Sequence, residues 1–160
     1  MDIALRELFR DSVLKGAKIL AGKGGLSRRC RRVSVFDCPY HESLLAQGII
    51  KPGDLFLSVL EQFRNGQGDL MGFARGLVSY RSAGLLILPT GAAEVLSQPV
   101  LDYFDQNDFP VIWLQANISY GDIMAAINNW LRSGDRNEIN LSKLNRILQG
   151  GIGESEKRQL

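Results

Sequence analysis

Between Gly84 and Gly91, four apolar residues (Leu85 to Leu88) run without a polar interruption into Pro89, Thr90 and Gly91. A strand with one face in water alternates apolar and polar residues, so an unbroken run needs cover on both faces. That points to a parallel sheet held between helical layers. Two further runs fit the same description. Leu55-Phe56-Leu57-Ser58-Val59 is entered from the turn Lys51-Pro52-Gly53-Asp54, and Val111-Ile112-Trp113-Leu114 from Asn107-Asp108-Phe109-Pro110. Between the first two runs, Leu70, Phe73, Ala74, Leu77 and Val78 recur at helical spacing. Between the last two, a helix starting near Ser97 accepts Pro99 in its first turn and turns Leu101 and Phe104 inward. The order strand, helix, strand, helix, strand predicts a three-layer α/β domain. Its mainly parallel sheet has strands near 55–59, 84–88 and 111–114, joined by right-handed crossovers.

Upstream, Asp2 is placed to cap a short helix with Leu5, Leu8 and Phe9 on one face, ended by Gly16. An N-terminal strand pair is expected near 18–21 and 32–36. The glycine turn Gly22-Lys23-Gly24-Gly25 and an arginine cluster separate the two strands, which form either a hairpin or a pair of edge strands. A brief helix over Glu42 to Gln47 stops at Gly48, and a polar loop runs from Gln62 to Asp69. Downstream, Ser119 and Asp122 resemble a capping box for a helix that buries Ile123, Ile127, Trp130 and Leu131. We expect this unit to occupy residues 1–133. Residues 134–160 are expected to hold a linker, a short helix near 140–149 carrying Leu141, Leu144 and Leu148, and a disordered tail.

The chain's 160 residues are 45% hydrophobic, enough for a real core, and its formal net charge of +2 creates no global pull towards nucleic acid or an anionic membrane. Two cysteines, Cys30 and Cys38, fit neither a disulfide framework nor a metal cluster, and they read as reduced thiols of a cytoplasmic protein. No stretch is long and apolar enough to span a bilayer, so no membrane association is expected. His41, the one histidine, has no nucleophile or metal-spaced partner nearby in sequence. The spacing around Lys23 lacks the phosphate-loop pattern and reads as a plain turn. Arg28, Arg29, Arg31 and Arg32 lack interleaved aromatics and read as a solvated hairpin edge, not a nucleic-acid surface. Cys38 is the best candidate nucleophile but has no evident activating base, so no catalytic residue and no cofactor are assigned.

More informative are the polar groups just past the three strands. Ser58, Gln62, Arg64 and Asn65 follow the first, Thr90 and Gly91 the second, and Gln115, Asn117 and Ser119 the third. In open parallel sheets these ends share one rim, where ligands bind, although loop and cap residues are polar for simpler reasons too. Amides, hydroxyls and one arginine suit a neutral or anionic small metabolite better than catalysis. The candidate ligand-binding set is Ser58, Gln62, Arg64, Asn65, Thr90, Gly91, Gln115 and Asn117.

Taken in order, the motifs are Leu5-Arg6-Glu7-Leu8-Phe9, Lys18-Ile19-Leu20-Ala21-Gly22, Gly25-Leu26, Val33-Ser34-Val35, Gly53-Asp54-Leu55-Phe56-Leu57, Ala83 to Leu88, Phe109 to Leu114, and the helix from Tyr120. Over about residues 3 to 131 this succession resembles the N-terminal domain of PucR-type transcriptional regulators, the purine catabolism regulator family. In place of the Thr-Thr-Gly-like turn that members tend to carry after the Gly-Asp-Leu-Phe-Leu-type strand, this chain has Ser58-Val59-Leu60-Glu61. The stretch Pro52 to Phe56 also looks like the N-terminal domain of Mur ligases, and residues 84 to 127 look somewhat like DRTGG domains. The PucR resemblance implies a non-enzymatic, effector-sensing domain of a cytoplasmic regulator. Its small-molecule effector would be purine-related, its output a separate DNA-binding domain, and its assembly a homo-oligomer, with no direct nucleic-acid contact of its own. No helix-turn-helix is visible after residue 131, so a truncated regulator or a stand-alone module is expected. The alternative is a protein-interaction or dimerisation module that uses the stripe of Leu141, Leu144 and Leu148.

Overall fold

The computed structural model describes residues 2–115 and 117–133. The described residues form seven strands: β1 (Ile3–Ala4), β2 (Lys18–Ala21), β3 (Arg29–Cys30), β4 (Arg32–Val35), β5 (Asp54–Ser58), β6 (Gly84–Ile87) and β7 (Val111–Trp113). The helices are α1 (Ser43–Ala46), α2 (Leu70–Ser79), α3 (Gln98–Gln106) and α4 at residues 120–133. Five strands make one sheet in the order β2-β7-β6-β5-β4, and β1 pairs with β3 separately. β4 to β7 are mutually parallel, and β2 runs antiparallel along β7 with an irregularity between Ile19 and Ala21. The stretches near 18–21 and 32–36 are thus the two edge strands, on opposite margins of the sheet. The linker after Ser133, the helix expected near 140–149 and the tail lie outside the described residues.

The unbroken apolar runs are explained by the two cores. Every residue of β5 and β6 is buried. On one side Phe56, Leu85 and Ile87 pack beneath Phe73, Ala74 and Leu77 of α2 and Val100 and Phe104 of α3. On the other, Leu55, Leu57 and Leu86 pack against Leu5, Leu8 and Leu14 from the N-terminal segment and Ile123, Ile127 and Leu131 of α4. Each fully buried large side chain contributes about 1.5–3 kcal/mol relative to exposure. α2 begins where the Asp69 carboxylate accepts the Gly72 N–H at 2.8 Å. Ser119 caps α4 in the same way, its hydroxyl accepting the Asp122 N–H at 3.2 Å.

Three local expectations are corrected. Residues Leu5–Arg10 form a 3-10 turn, not an α-helix, and Ala4 occupies its cap position. Asp2 does not cap it, because its carboxylate is taken by Arg29 at 2.7 Å and lies 3.5 Å from Arg31. The loop after β5 is less polar than its sequence suggests, since Phe63 turns into the core within the 3-10 segment Glu61–Gly66. The arginine cluster is a solvated edge only in part: Arg29, Arg31 and Arg32 are exposed, whereas Arg28 is half-buried. Arg28 donates to the carbonyls of Asp108 (2.8 Å), Asn107 (2.9 Å) and Ser82 (3.2 Å) and lies over the Phe109 ring. Arg32 grips the buried Asp54 with two bonds of 2.8 and 2.7 Å.

The glycine turn is a backbone contact. A Cβ on Gly22, which has φ +71°, would sit 1.9 Å from the Phe109 carbonyl oxygen, and one on Gly25 would sit 1.7 Å from that of Asp108. Gly22 also donates its N–H to the Asp105 carboxylate at 2.7 Å. Together with Arg28 this fastens residues 22–28 to the segment that leads into β7.

Candidate ligand-binding rim

β4, β5, β6 and β7 are parallel and end at Val35, Ser58, Ile87 and Trp113. The residues following them therefore share one rim of the sheet. The chain leaves β6 for α3 on one face and leaves β7 for α4 on the other. In open parallel sheets, ligands bind where neighbouring connections diverge in this way. Thr90 and Gly91 follow one side of that divergence, Gln115 and Asn117 the other.

The eight candidate residues have unequal freedom to bind anything. Ser58 is buried, its hydroxyl donating to Asp37 at 2.9 Å and accepting the Leu60 N–H at 3.0 Å. Gln62 donates to the Phe36 carbonyl at 3.1 Å, while its amide oxygen is buried without a partner among the described residues. Thr90 is exposed. Gly91 is packed so closely that an added Cβ would lie 2.8 Å from Ile87 Cγ2 and 2.9 Å from the Leu88 carbonyl oxygen. Gln115 is exposed and folds its amide back towards the Leu114 and Trp113 carbonyls at 3.3 and 3.4 Å, and Asn117 is exposed.

Arg64 and Asn65 lie together on a concave surface. With Phe63, Gly66, Gln67, Leu70 and Glu94 they line a depression of about 410 Å³. Arg64 donates to Glu61 within its own loop and to Glu94 at 2.9 Å, which ties the segment after β5 to the segment after β6. The Arg64 guanidinium lowers the pKa of Glu61 through their hydrogen bond, and Glu61 in turn raises that of Arg64. Asn65 holds a left-handed backbone, φ 60° and ψ 32°, where the loop reverses.

Sequence reasoning missed Asp37 and Tyr120. The Asp37 carboxylate accepts from Ser58 Oγ and the Val59 N–H, both at 2.9 Å, and from the Tyr120 hydroxyl. Burial, and then the bond to Asp37, raises the Tyr120 pKa. Asp37-Cys38-Pro39 read only as a strand breaker because β4 was placed in an N-terminal pair rather than beside β5. Nothing local links Asp37 to a tyrosine 83 residues on. His41 accepts the Ser43 N–H at 3.1 Å at the start of α1 and is exposed. Among the described residues, no group of three or more His, Cys, Asp or Glu could hold a metal ion, and no helix is long and apolar enough to cross a membrane.

Residues 7–131 match the purine catabolism regulatory protein-like (PucR) family. No curated protein matches the chain. Among solved structures, it is similar to the CBS and DRTGG domains of the regulatory region of Clostridium perfringens pyrophosphatase, crystallised with the activator diadenosine tetraphosphate. That similarity has 15% identity and a TM-score of 0.45, and it covers 81% of this chain and 46% of the other, so this chain spans about half the length of that structure.

Proposed function

The chain belongs to the purine catabolism regulatory protein-like family, and from that membership we propose that it is the effector-sensing domain of a cytoplasmic transcriptional regulator. It binds a small metabolite at the carboxyl rim of the sheet and relays the signal to a separate DNA-binding domain. The family is a regulatory one. The observation that carries the sensing role is the depression beside Arg64, walled by two loops that a single guanidinium ties together through Glu61 and Glu94. A ligand seated there touches both loops at once. It would favour one arrangement of them, which is all a population shift requires. Arg64 already has two carboxylate partners, so a ligand with neutral hydrogen-bonding groups, such as a purine-related compound, suits the surface better than one that must displace them.

Thermal-shift titration with purine catabolites and nucleotides tests this reading. A ligand present at a hundred times its dissociation constant stabilises the fold by about 2.7 kcal/mol. Arg64→Ala and Asn65→Ala should remove the shift, whereas Thr90→Val and Asn117→Ala should leave most of it. The sensing reading fails if no metabolite class moves the transition.

A further inference from the structure

At the other end of the sheet, where β4 and β5 begin, Arg31, Arg32, Lys51, Pro52 and Asp54 line an open depression of about 330 Å³. We propose that this depression is a second binding site, separate from the rim, for the phosphate group of a small ligand. The proposal stands on charge and on how the cations are held.

Asp54 forms part of the wall and is 1% exposed. Its carboxylate is fully engaged, by two bonds from Arg32 and by the Lys51 N–H at 2.9 Å. Its charge therefore balances Arg32 and leaves Arg31 and Lys51 uncompensated by it. Arg31 lies 3.5 Å from Asp2, a carboxylate already gripped by Arg29 at 2.7 Å. Among the lining residues, the three cations Arg31, Arg32 and Lys51 thus face one carboxylate, Asp54, an excess of two positive charges, while Asp2, outside the lining, is shared between Arg29 and Arg31. Lys51 makes no ion pair with another described residue.

The turn that presents these groups is also shaped around one of them. Gly53 has φ +84°, and a Cβ there would lie 2.8 Å from Arg31 Cγ and 3.0 Å from its Cβ and Cδ. The Arg31 stem therefore rests on bare backbone, and its N–H donates to the Gly53 carbonyl at 2.8 Å. Arg32 is fixed by its two-bond grip on Asp54, and Lys51 begins the turn, its carbonyl accepting the Asp54 N–H at 3.1 Å. Part of the ordering cost of gathering the cationic side chains is thus met before a ligand arrives, for Arg31 and Arg32. A tetrahedral oxyanion accepts hydrogen bonds from several directions and suits a guanidinium beside an ammonium. A depression of this size has room for a phosphate or pyrophosphate group.

Isothermal titration of the full chain with inorganic pyrophosphate, and separately with glycerol phosphate, tests the site. Saturable one-to-one binding is expected with at least one probe, weakening as salt is raised. Lys51→Ala and Arg31→Ala, both at exposed positions, should each weaken it about tenfold or more, while Lys51→Arg should largely keep it. Arg75→Ala, which removes an exposed cation from α2, should leave it unchanged. Circular dichroism confirms that each variant is folded. The proposal is overturned if neither probe binds saturably at millimolar concentration, or if Arg75→Ala costs as much as Lys51→Ala. It is equally overturned if only duplex DNA responds to the Lys51 and Arg31 changes, since the surface would then be reading a polymer backbone.

Discussion

Tyr120 donates its hydroxyl to the Asp37 carboxylate, although β7 and β4, the strands that precede these residues, stand apart in the sheet with β6 and β5 between them. The bond fixes the first turn of α4 to the far side of the rim. The other end of α4 is held by the Trp130 indole, which donates to Asp11 at 2.8 Å. Tyr120→Phe removes the first attachment and leaves Asp37 its bonds from Ser58 and Val59. A loss of about 1 kcal/mol in urea unfolding is expected, with faster amide exchange confined to the first turn of α4. Trp130→Phe should loosen the last turn instead. Uniformly faster exchange in both variants would mean that α4 has no separable ends.

Glycines that share a left-handed backbone should separate sharply by what surrounds them. Gly16, at φ +76°, has nothing within 4 Å of an added Cβ, so Gly16→Ala should cost only the conformational strain, about 1–2 kcal/mol. Gly22, at φ +71°, would place its Cβ against the Phe109 carbonyl, and Gly22→Ala should cost more than about 3 kcal/mol or prevent folding. Thermal unfolding of the two variants compares them directly.

How far the sequence could be read follows from where each signal lies. Strands β5, β6 and β7 were legible because burial on both faces leaves an unbroken apolar run, and α2 and α3 because their inward residues recur at helical spacing. The placement of β4 was not, because four residues beginning with Arg32 carry no mark of which neighbour they will join. That one ambiguity hid Asp37 from the rim. Of the candidate residues, Arg64 and Asn65 reach a concave surface, whereas the Ser58 hydroxyl is spent on Asp37 and Leu60 and Gly91 is packed against Ile87 and Leu88. Polarity at a strand end tells where a side chain begins and not which backbone group it will satisfy.

The two thiols should differ in reactivity and in their bearing on stability. Cys38 is exposed and Cys30 is buried, and burial pushes the Cys30 thiol up from its ordinary 9.0 to about 12. The folded state thus keeps a proton that the unfolded chain releases at lower pH. The contribution is complete below pH 9.0 and is lost progressively as pH rises towards about 12. Iodoacetamide at pH 8 should alkylate Cys38 quickly and Cys30 only on unfolding, as read by mass spectrometry of the intact chain. Cys30→Ala should flatten the decline in stability above pH 9.0. Equal labelling rates in the folded protein would contradict the buried placement of Cys30.

Arg28 and Arg29 are adjacent in sequence, yet they should respond very unequally to the same change. Arg28 holds the carbonyls of Ser82, Asn107 and Asp108, so its loss leaves three acceptors to find new partners where the chain enters β6 and β7. Arg29 pairs with Asp2, and its side chain is 56% exposed, a setting in which ion pairs contribute little. Arg28→Met is therefore expected to destabilise the fold by about 2–4 kcal/mol, and Arg28→Lys to recover only part, because an ammonium cannot span three carbonyls as a planar guanidinium does. Arg29→Met should cost no more than about 1 kcal/mol. Guanidinium chloride unfolding measures all three, and a duplex DNA titration of the folded variants completes the comparison. A structural role for Arg28 requires the stability difference with no change in DNA affinity. If Arg28→Met is as stable as Arg29→Met and loses affinity for DNA, the cluster serves nucleic acid and the carbonyl contacts are incidental.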